Sequence, residues 1–162
     1  MDIRDIKIEK ASAEDAEEIL KLQKLAYVSE AEIINDFTIP PLHQTIEEVL
    51  SEFDNHMFLK VTDKNMIIGS VRSFVENGTC FIGKLIVHPD HQNQGLGTEL
   101  LKTIERYFPD TGRYELFTGE KSERNLYLYQ KMGYRIFKNE KISKNLTLVY
   151  LEKPNCRGGI LK

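Results

Sequence analysis

The sequence predicts an α+β domain built on a mixed sheet with helices packed against it. Three observations carry that expectation. Apolar, β-branched runs at 57–61, 66–72 and 81–87 are separated by turn signals at Asp63-Lys64-Asn65 and Asn77-Gly78. Two amphipathic helical patterns precede these runs. A glycine-bearing loop, His91-Gln92-Asn93-Gln94-Gly95-Leu96-Gly97-Thr98, then links the last run to a third helical pattern, and strand and helix alternate from there on.

Taken in order, Ile6 and Ile8 alternate with charged residues and open the chain as a strand. Ser12 reads as a helix N-cap, with Glu14 and Asp15 in the first turn. The helix it starts carries Ala16, Ile19, Leu20, Gln23 and Tyr27 on one side. Regular structure breaks over 35–43, at Pro40 and Pro41. Thr45-Ile46-Glu47-Glu48 is a capping box for a second helix, which directs Ile46, Val49, Leu50 and Phe53 inward. Three antiparallel strands then lead into the glycine loop. Beyond it, Leu100, Leu101, Ile104 and Phe108 lie at helical spacing. A strand at 113–118, a short helix at 123–132 and strands at 134–137 and 146–151 complete the order β-α-α-β-β-β-α-β-α-β-β. A single domain over 1–153 is expected, with a frayed tail over 154–162.

Bulk properties narrow the function classes. A chain of 162 residues, 41% hydrophobic and 29% charged, is ordinary for one globular domain with a real core. A net charge of −3 argues against nucleic acid as a partner. No run is long enough to span a membrane and the N-terminus has no apolar signal region, so a cytoplasmic protein is expected. Cys80 and Cys156 lie far apart without metal-type spacing, and Cys80 reads as a small core residue. His88 and His91 flank Pro89-Asp90 without the further ligands a metal needs, so no metal is expected.

The glycine loop carries the chemistry. Gly95 and Gly97 allow a sharp turn and a close approach of backbone to ligand, next to the positive end of a helix. That arrangement suits a pyrophosphate. A P-loop would need Gly-Lys-Ser/Thr, and no lysine follows either glycine. A dinucleotide fingerprint would need a small residue where Leu100 stands. The segment Gln92-x-x-Gly95-x-Gly97 resembles instead the Gln/Arg-x-x-Gly-x-Gly/Ala signature of the GNAT superfamily of N-acetyltransferases. Leu85-Ile86-Val87-His88-Pro89 is similar to that family's Leu-x-Val-x-Pro strand end. Leu128-Tyr129-Gln130-Lys131-Met132-Gly133-Tyr134 is similar to its Leu-Tyr-Glu-Lys-x-Gly-Phe/Tyr helix end. The three stand in the family's order and cover roughly residues 80–137.

The resemblance implies a fold in which two central strands of a largely antiparallel sheet splay apart to hold an acyl thioester. It implies acetyl-CoA as cosubstrate, with Gln92, Asn93, Gln94, Gly95, Leu96, Gly97 and Thr98 at the pyrophosphate. Leu85, Ile86 and Val87 would hold the pantetheine arm through their backbone. Tyr129 would be the acid that protonates the leaving thiolate, a role suited to a phenol of pKa about 10. The family often places an asparagine seven residues before this tyrosine; here that position is Ser122, with Asn125 nearby as the alternative cofactor contact. The family's common glutamate base falls near Phe81, so a water chain, Glu30, Glu76 or His43 would serve the amine. Acceptor contacts are expected from the region of Tyr27, Glu30 and Phe37, and from Glu76. The expected partner is a small-molecule or peptide amine, with no nucleic acid or membrane, in a monomer or homodimer. The alternative function is a non-catalytic acyl-CoA-binding sensor, which keeps the loop and does not need the acid.

Overall fold

A computed structural model of the chain describes residues 6–155. Its elements follow the expected order: β1 (Lys7–Lys10), α1 (Ala16–Ile34), α2 (Ile46–Glu52), β2 (Met57–Asp63), β3 (Met66–Glu76), β4 (Thr79–Val87), α3 (Leu96–Tyr107), β5 (Arg113–Gly119), α4 (Glu123–Lys131), β6 (Arg135–Lys141) and β7 (Thr147–Pro154). The strands form one seven-stranded sheet in the order β1-β2-β3-β4-β5-β7-β6. β4 and β5 pair in parallel and every other neighbouring pair is antiparallel. The fold is α+β, with a mixed and largely antiparallel sheet.

Local sequence chemistry accounts for most of the boundaries. Lys64 and Asn65 (φ 51° and 67°) and Asn77 and Gly78 (φ 50° and 80°) take the paired left-handed conformation that two-residue hairpins require. Thr45 accepts the Glu48 N–H at 3.2 Å, and its own N–H donates to the Glu48 carboxylate at 2.8 Å, which makes the predicted capping box. Ser12 acts one step earlier than expected. It heads a 3₁₀ turn, Ala13–Asp15, and its N–H donates to the Asp15 carboxylate at 2.9 Å before α1 begins.

Two expectations need correction. Leu50 points to solvent, since α2 is short and buries only Val49. The tail is not free at its start. Pro154 belongs to β7, and the Asn155 N–H donates to the Gly112 carbonyl at 2.9 Å while its amide donates to the carbonyls of Pro109 and Thr111. The remainder of the predicted tail, with Cys156, lies outside the described residues.

The sheet is covered on both faces. On one, Leu96, Leu100, Leu101 and Ile104 of α3 pack against Leu59, Val61, Ile68 and Val71, in a core that also takes in Cys80, Tyr129 and Tyr134. On the other, Ala16, Ile19, Leu22 and Ala26 of α1 and Val49 of α2 pack against Phe58, Ile67 and Ile86. Alternation along β2 sends Phe58 to one core and Leu59 and Val61 to the other, as strand geometry demands.

The α1–α2 face holds a buried polar network that nothing in the local sequence announces. Arg72 of β3 is 2% exposed. Its guanidinium donates to Glu52 at 2.9 Å and to the fully buried Gln23 at 2.7 Å. The Gln23 amide donates to the Pro41 carbonyl at 3.0 Å and to Gln44 at 2.8 Å, and Gln44 donates in turn to Glu52. The guanidinium also lies 4.5 Å from the Phe58 ring centroid. Burial works against the Glu52 carboxylate, but the hydrogen bond and charge of Arg72 overcome it and hold the carboxyl below its usual range. The network ties α1, α2 and the proline segment to β3. Replacing Arg72 by Met keeps the volume but leaves Glu52 and Gln23 without their partner. We predict that Arg72→Met lowers unfolding free energy by about 3 kcal/mol. Denaturant unfolding checks this, and a loss well under 1 kcal/mol would show that the ion pair is energetically idle.

Candidate active site

The cleft arises where the sheet stops being continuous. β4 and β5 pair at three positions, Thr79, Cys80 and Phe81 with Arg113, Tyr114 and Glu115, and then part. Beyond Glu115, β5 stays paired with β7, and beyond Phe81, β4 stays paired with β3. The facing backbone edge of β4 from Ile82 onward thus has no strand beside it. On the β3 side the register shifts, so that Lys84 and Leu85 together stand opposite Val71. Lys84 takes φ 50°, a left-handed conformation that costs a non-glycine residue about 1–2 kcal/mol.

Two cavities meet at this gap. The smaller, about 410 Å³, is lined by Leu85, Ile86 and Val87 of β4, by the loop residues Gln92, Asn93, Gly95, Leu96, Gly97 and Thr98, and by α4. The larger, about 730 Å³, lies between α1, the proline segment and the separated ends of β4 and β5. Tyr27, Glu30, Leu85 and Asn125 line both. Of the predicted loop, only Gln94 is not part of the cavity wall.

The loop is built to present N–H groups. Asn93 and Gly95 adopt φ 63° and 85°, and Gly95 is the N-cap of α3. The first bond of that helix is from the Glu99 N–H to the Gly95 carbonyl at 3.1 Å. The N–H groups of Leu96, Gly97 and Thr98 therefore precede the helical ladder and point out of the helix end. Gln92 is used inward: its amide donates to the Val87 carbonyl at 3.2 Å, locking the loop to the strand end. A Cβ on Gly97 would stand 3.2 Å from Leu128, so the glycine also sets how closely α3 and α4 approach. These residues fit a pyrophosphate: donors converge on one cavity, and the cations Arg124 and Lys131 line it.

Tyr129, 4% exposed, lines the larger cavity. Burial, with Tyr27 and Glu30 adding to it, pushes its phenol above the ordinary tyrosine value. Burial and Glu30 likewise push Tyr27 up to about 12 against the opposing charge of Arg72. Ser122 is buried at the start of α4 and lines the larger cavity. Asn125 reaches both cavities, with its amide 3.2 Å from the Thr118 hydroxyl and 3.5 Å from Glu30. Glu30 stands where substrate contacts were expected. Glu76 does not: it pairs with Thr79 beside the β3–β4 turn, away from both cavities. Phe37 is half exposed on the connecting loop and lines neither cavity, although its neighbours Ile39, Pro40 and Pro41 do. His43 is engaged with the Phe37 carbonyl at 2.8 Å.

Several cavity residues escaped the sequence reading. Arg124 and Lys131 share a face of α4 with Leu128, a spacing of four and three that the sequence displays, and Arg124 also bonds to Gln92. Glu52, His56, Arg72 and Lys84 gather in the larger cavity from four separate elements and carry no motif. Among the described residues no group of three or more His, Cys, Asp or Glu side chains is arranged to hold a metal, and no helix is long and apolar enough to cross a membrane.

Comparison with known proteins agrees with this geometry. The family model described as acetyltransferase (GNAT) family matches residues 16–134. The UPF0157 protein YqkA of Bacillus subtilis (strain 168) is 28% identical over 133 residues, 82% of this chain, and the match spans 38% of that protein's length. The PaiA N-acetyltransferase of Thermoplasma acidophilum, solved in complex with coenzyme A, superposes with a TM-score of 0.76 at 17% identity, covering 92% of this chain and 98% of that one. The ribosomal-protein-S18-alanine N-acetyltransferase of Escherichia coli superposes with a TM-score of 0.77 at 14% identity, covering 93% and 94%. At such identities the superpositions speak for the fold, and the match of the family model across most of the domain speaks for descent. With the splayed β4–β5 pair and the Gln92-to-Thr98 loop in their expected places, the chain belongs to the GNAT family of acetyltransferases.

Proposed function

We propose that this protein is an acetyl-CoA-dependent N-acetyltransferase that moves an acetyl group to a primary amine by direct attack in a ternary complex. One observation carries the reading. A cavity lined by the free N–H groups at the start of α3 and by Arg124 and Lys131, and a larger, mostly apolar cavity, open on the same gap in the sheet and share Tyr27, Glu30, Leu85 and Asn125, with a buried phenol, Tyr129, on the wall. A sensor that only bound acyl-CoA would need neither the second cavity nor the phenol.

Acetyl-CoA, when bound, supplies an acyl group activated as a thioester. The N–H groups of Leu96, Gly97 and Thr98 face its pyrophosphate, with Arg124 and Lys131 adding positive charge. The open edge of β4 at Leu85, Ile86 and Val87 offers backbone groups that pair with the pantetheine arm as a short extra strand would. Tyr129 gives its proton to the departing sulfur, and its raised pKa keeps that proton in place until it is needed. The amine must lose a proton before it attacks. Of the three bases considered from the sequence, only Glu30 lines the cleft. Among the described residues, no cysteine or serine arrangement calls for a covalent intermediate.

Three outcomes are expected. In Gly97→Asp a carboxylate stands against the pyrophosphate, and Leu128 yields by a few tenths of an ångström to admit the new Cβ. Acetyl-CoA affinity should then be lost in calorimetry while the thermal melt stays cooperative. Unchanged affinity in a folded variant would remove the loop from the site. Tyr129→Phe should lower the chemical step by about 10²–10⁴-fold with little change in acetyl-CoA affinity. Undiminished single-turnover rates would leave Tyr129 a packing residue. The third outcome concerns pH. The acceptor reacts as free amine, so kcat/KM for the acceptor should climb with pH toward the amine's own pKa. Burial holds the Tyr129 proton above the ordinary phenol value of about 10, so no falling limb from this residue should appear below that pH. A rising limb at carboxylate pH, identical for amines of different basicity, would contradict this and single out Glu30 as a dedicated base.

A further inference from the structure

The larger cavity contains two charges of opposite sign that form no ion pair among the described residues. Its three carboxylates are Glu30, Glu52 and Glu115. Glu52 is paired with Arg72 at 2.9 Å, and Glu115 with Arg113 at 2.9 Å. Glu30 has no cationic partner among the described residues, only the Asn125 amide at 3.5 Å. On the cationic side, the charge of Arg72 is paired with Glu52, its two terminal nitrogens donate to Glu52 and Gln23, and its buried Nε has no hydrogen-bond partner among the described residues. Lys84 has no ion pair among the described residues, although it faces into the same cavity. Lys121 is exposed at the cavity edge, where water screens it.

The two unpaired charges sit at different places. Glu30 lies beside Tyr27 and Tyr129, whose phenols feel its charge, and it lines the part of the cleft shared with the smaller cavity. Lys84 lies beside Arg72 and Glu52. Two cations against one carboxylate leave that corner with a surplus of about one positive charge, and His56 adjoins it with its imidazole pulled toward the neutral form by burial. Between the corners the walls are apolar, from Ile33, Ile39, Phe74 and Phe117 among others. The backbone directs Lys84 to this place. It occupies the bulge of β4 with φ 50°, and a strand interior keeps such a conformation in a lysine only where the surroundings fix it. A partly buried ammonium without a counter-ion is costly, and a bound anion removes that cost.

Resting on the acetyltransferase reading, we propose that the acceptor is an amine that also carries a carboxylate on an apolar body, with its amine at Glu30 and its carboxylate on Lys84. An amino acid, α or ω, has this chemistry. A single ammonium beside an already paired Arg72–Glu52 matches one negative charge, whereas a phosphate monoester carries roughly −1.5 to −2. The proposal makes Lys84 a specificity residue and gives it no part in proton transfer.

The test is a panel of paired acceptors: apolar α-amino acids and ω-amino acids of increasing length, each against its own carboxamide. Free CoA release is read with acetyl-CoA saturating. The amine of an α-carboxamide is the less basic of the pair, so amine basicity by itself favours the carboxamide. The expected result is a higher kcat/KM for the acids at one chain length, by on the order of tenfold. In Lys84→Gln that preference should collapse toward parity, chiefly through KM, and Lys84→Arg should restore part of it. Acetyl-CoA affinity in each variant, measured by calorimetry, establishes that the fold is retained. Turnover of carboxamides and plain alkylamines with no preference for acids overturns the proposal and leaves the acetyltransferase reading standing. A fall in kcat of Lys84→Gln that is equal for acids and carboxamides also overturns it, because Lys84 would then act in the chemistry. No CoA release with any amine overturns both.

Discussion

The rest of the molecule depends on one interruption of backbone hydrogen bonding. β4 and β5 share three residue pairs and then separate, so each continues with a partner on one side only. A backbone edge inside a domain must find hydrogen bonds somewhere, because an unpaired N–H or C=O away from water costs as much as a lost bond. Here the edge lines a cleft. A ligand with amide groups of its own can take the place that a neighbouring strand would otherwise fill. The same separation brings the N-terminus of α3 to one end of the cleft and Tyr129 of α4 to its wall.

The separation is sustained by constraints on both sides of the gap. The bulge at Lys84 and Leu85 interrupts the β3–β4 register just past the last β4–β5 pair. α3 closes one face of the sheet with four fully buried apolar residues, and Gly69 lets it approach: a Cβ there would meet Leu100 at 3.2 Å and the Ile86 carbonyl at 3.3 Å. On the other side β7 pairs along the whole of β5 and gives it a partner past the point where β4 leaves. At the far end of α3, Glu105 accepts from the Tyr134 hydroxyl at 2.7 Å and from Lys153 at 2.9 Å, which joins the helix to the β6–β7 half of the sheet. The two halves are thus held together at one end and apart at the other.

The opposite face carries one wall of the larger cavity. Arg72, Gln23, Gln44 and Glu52 form a network that fixes α1, α2 and the proline segment relative to β3. A network of this kind stabilises less than its count of hydrogen bonds suggests, because burying the charges offsets much of the gain. What it does supply is placement. Ile39, Pro40 and Pro41 are held as one wall of the larger cavity, and the charges of Arg72 and Glu52 satisfy each other. Among the described residues, the charges left unpaired inside the cavity are therefore those of Glu30 and Lys84, with Lys121 at its exposed edge.

The sequence by itself determined the elements, their order, the hairpin turns and the glycine loop at the start of α3. Each of these rests on interactions between residues close in the chain: paired left-handed residues at Asn77-Gly78, a capping box from Thr45 to Glu48, glycines at the start of a helix. It also placed Tyr129, through a motif whose members lie within one helix end. Tertiary structure decided what depends on distant partners. The insertion of β7 between β5 and β6, the burial of Arg72 against residues 20 and 49 positions away, and the exposure of Leu50 were not written in any local pattern. For the same reason Glu30 reached the cleft while Glu76 and Phe37 did not. Which polar residues face a cavity is settled by how helices and strands from remote parts of the chain pack, and a sequence window contains no term for that.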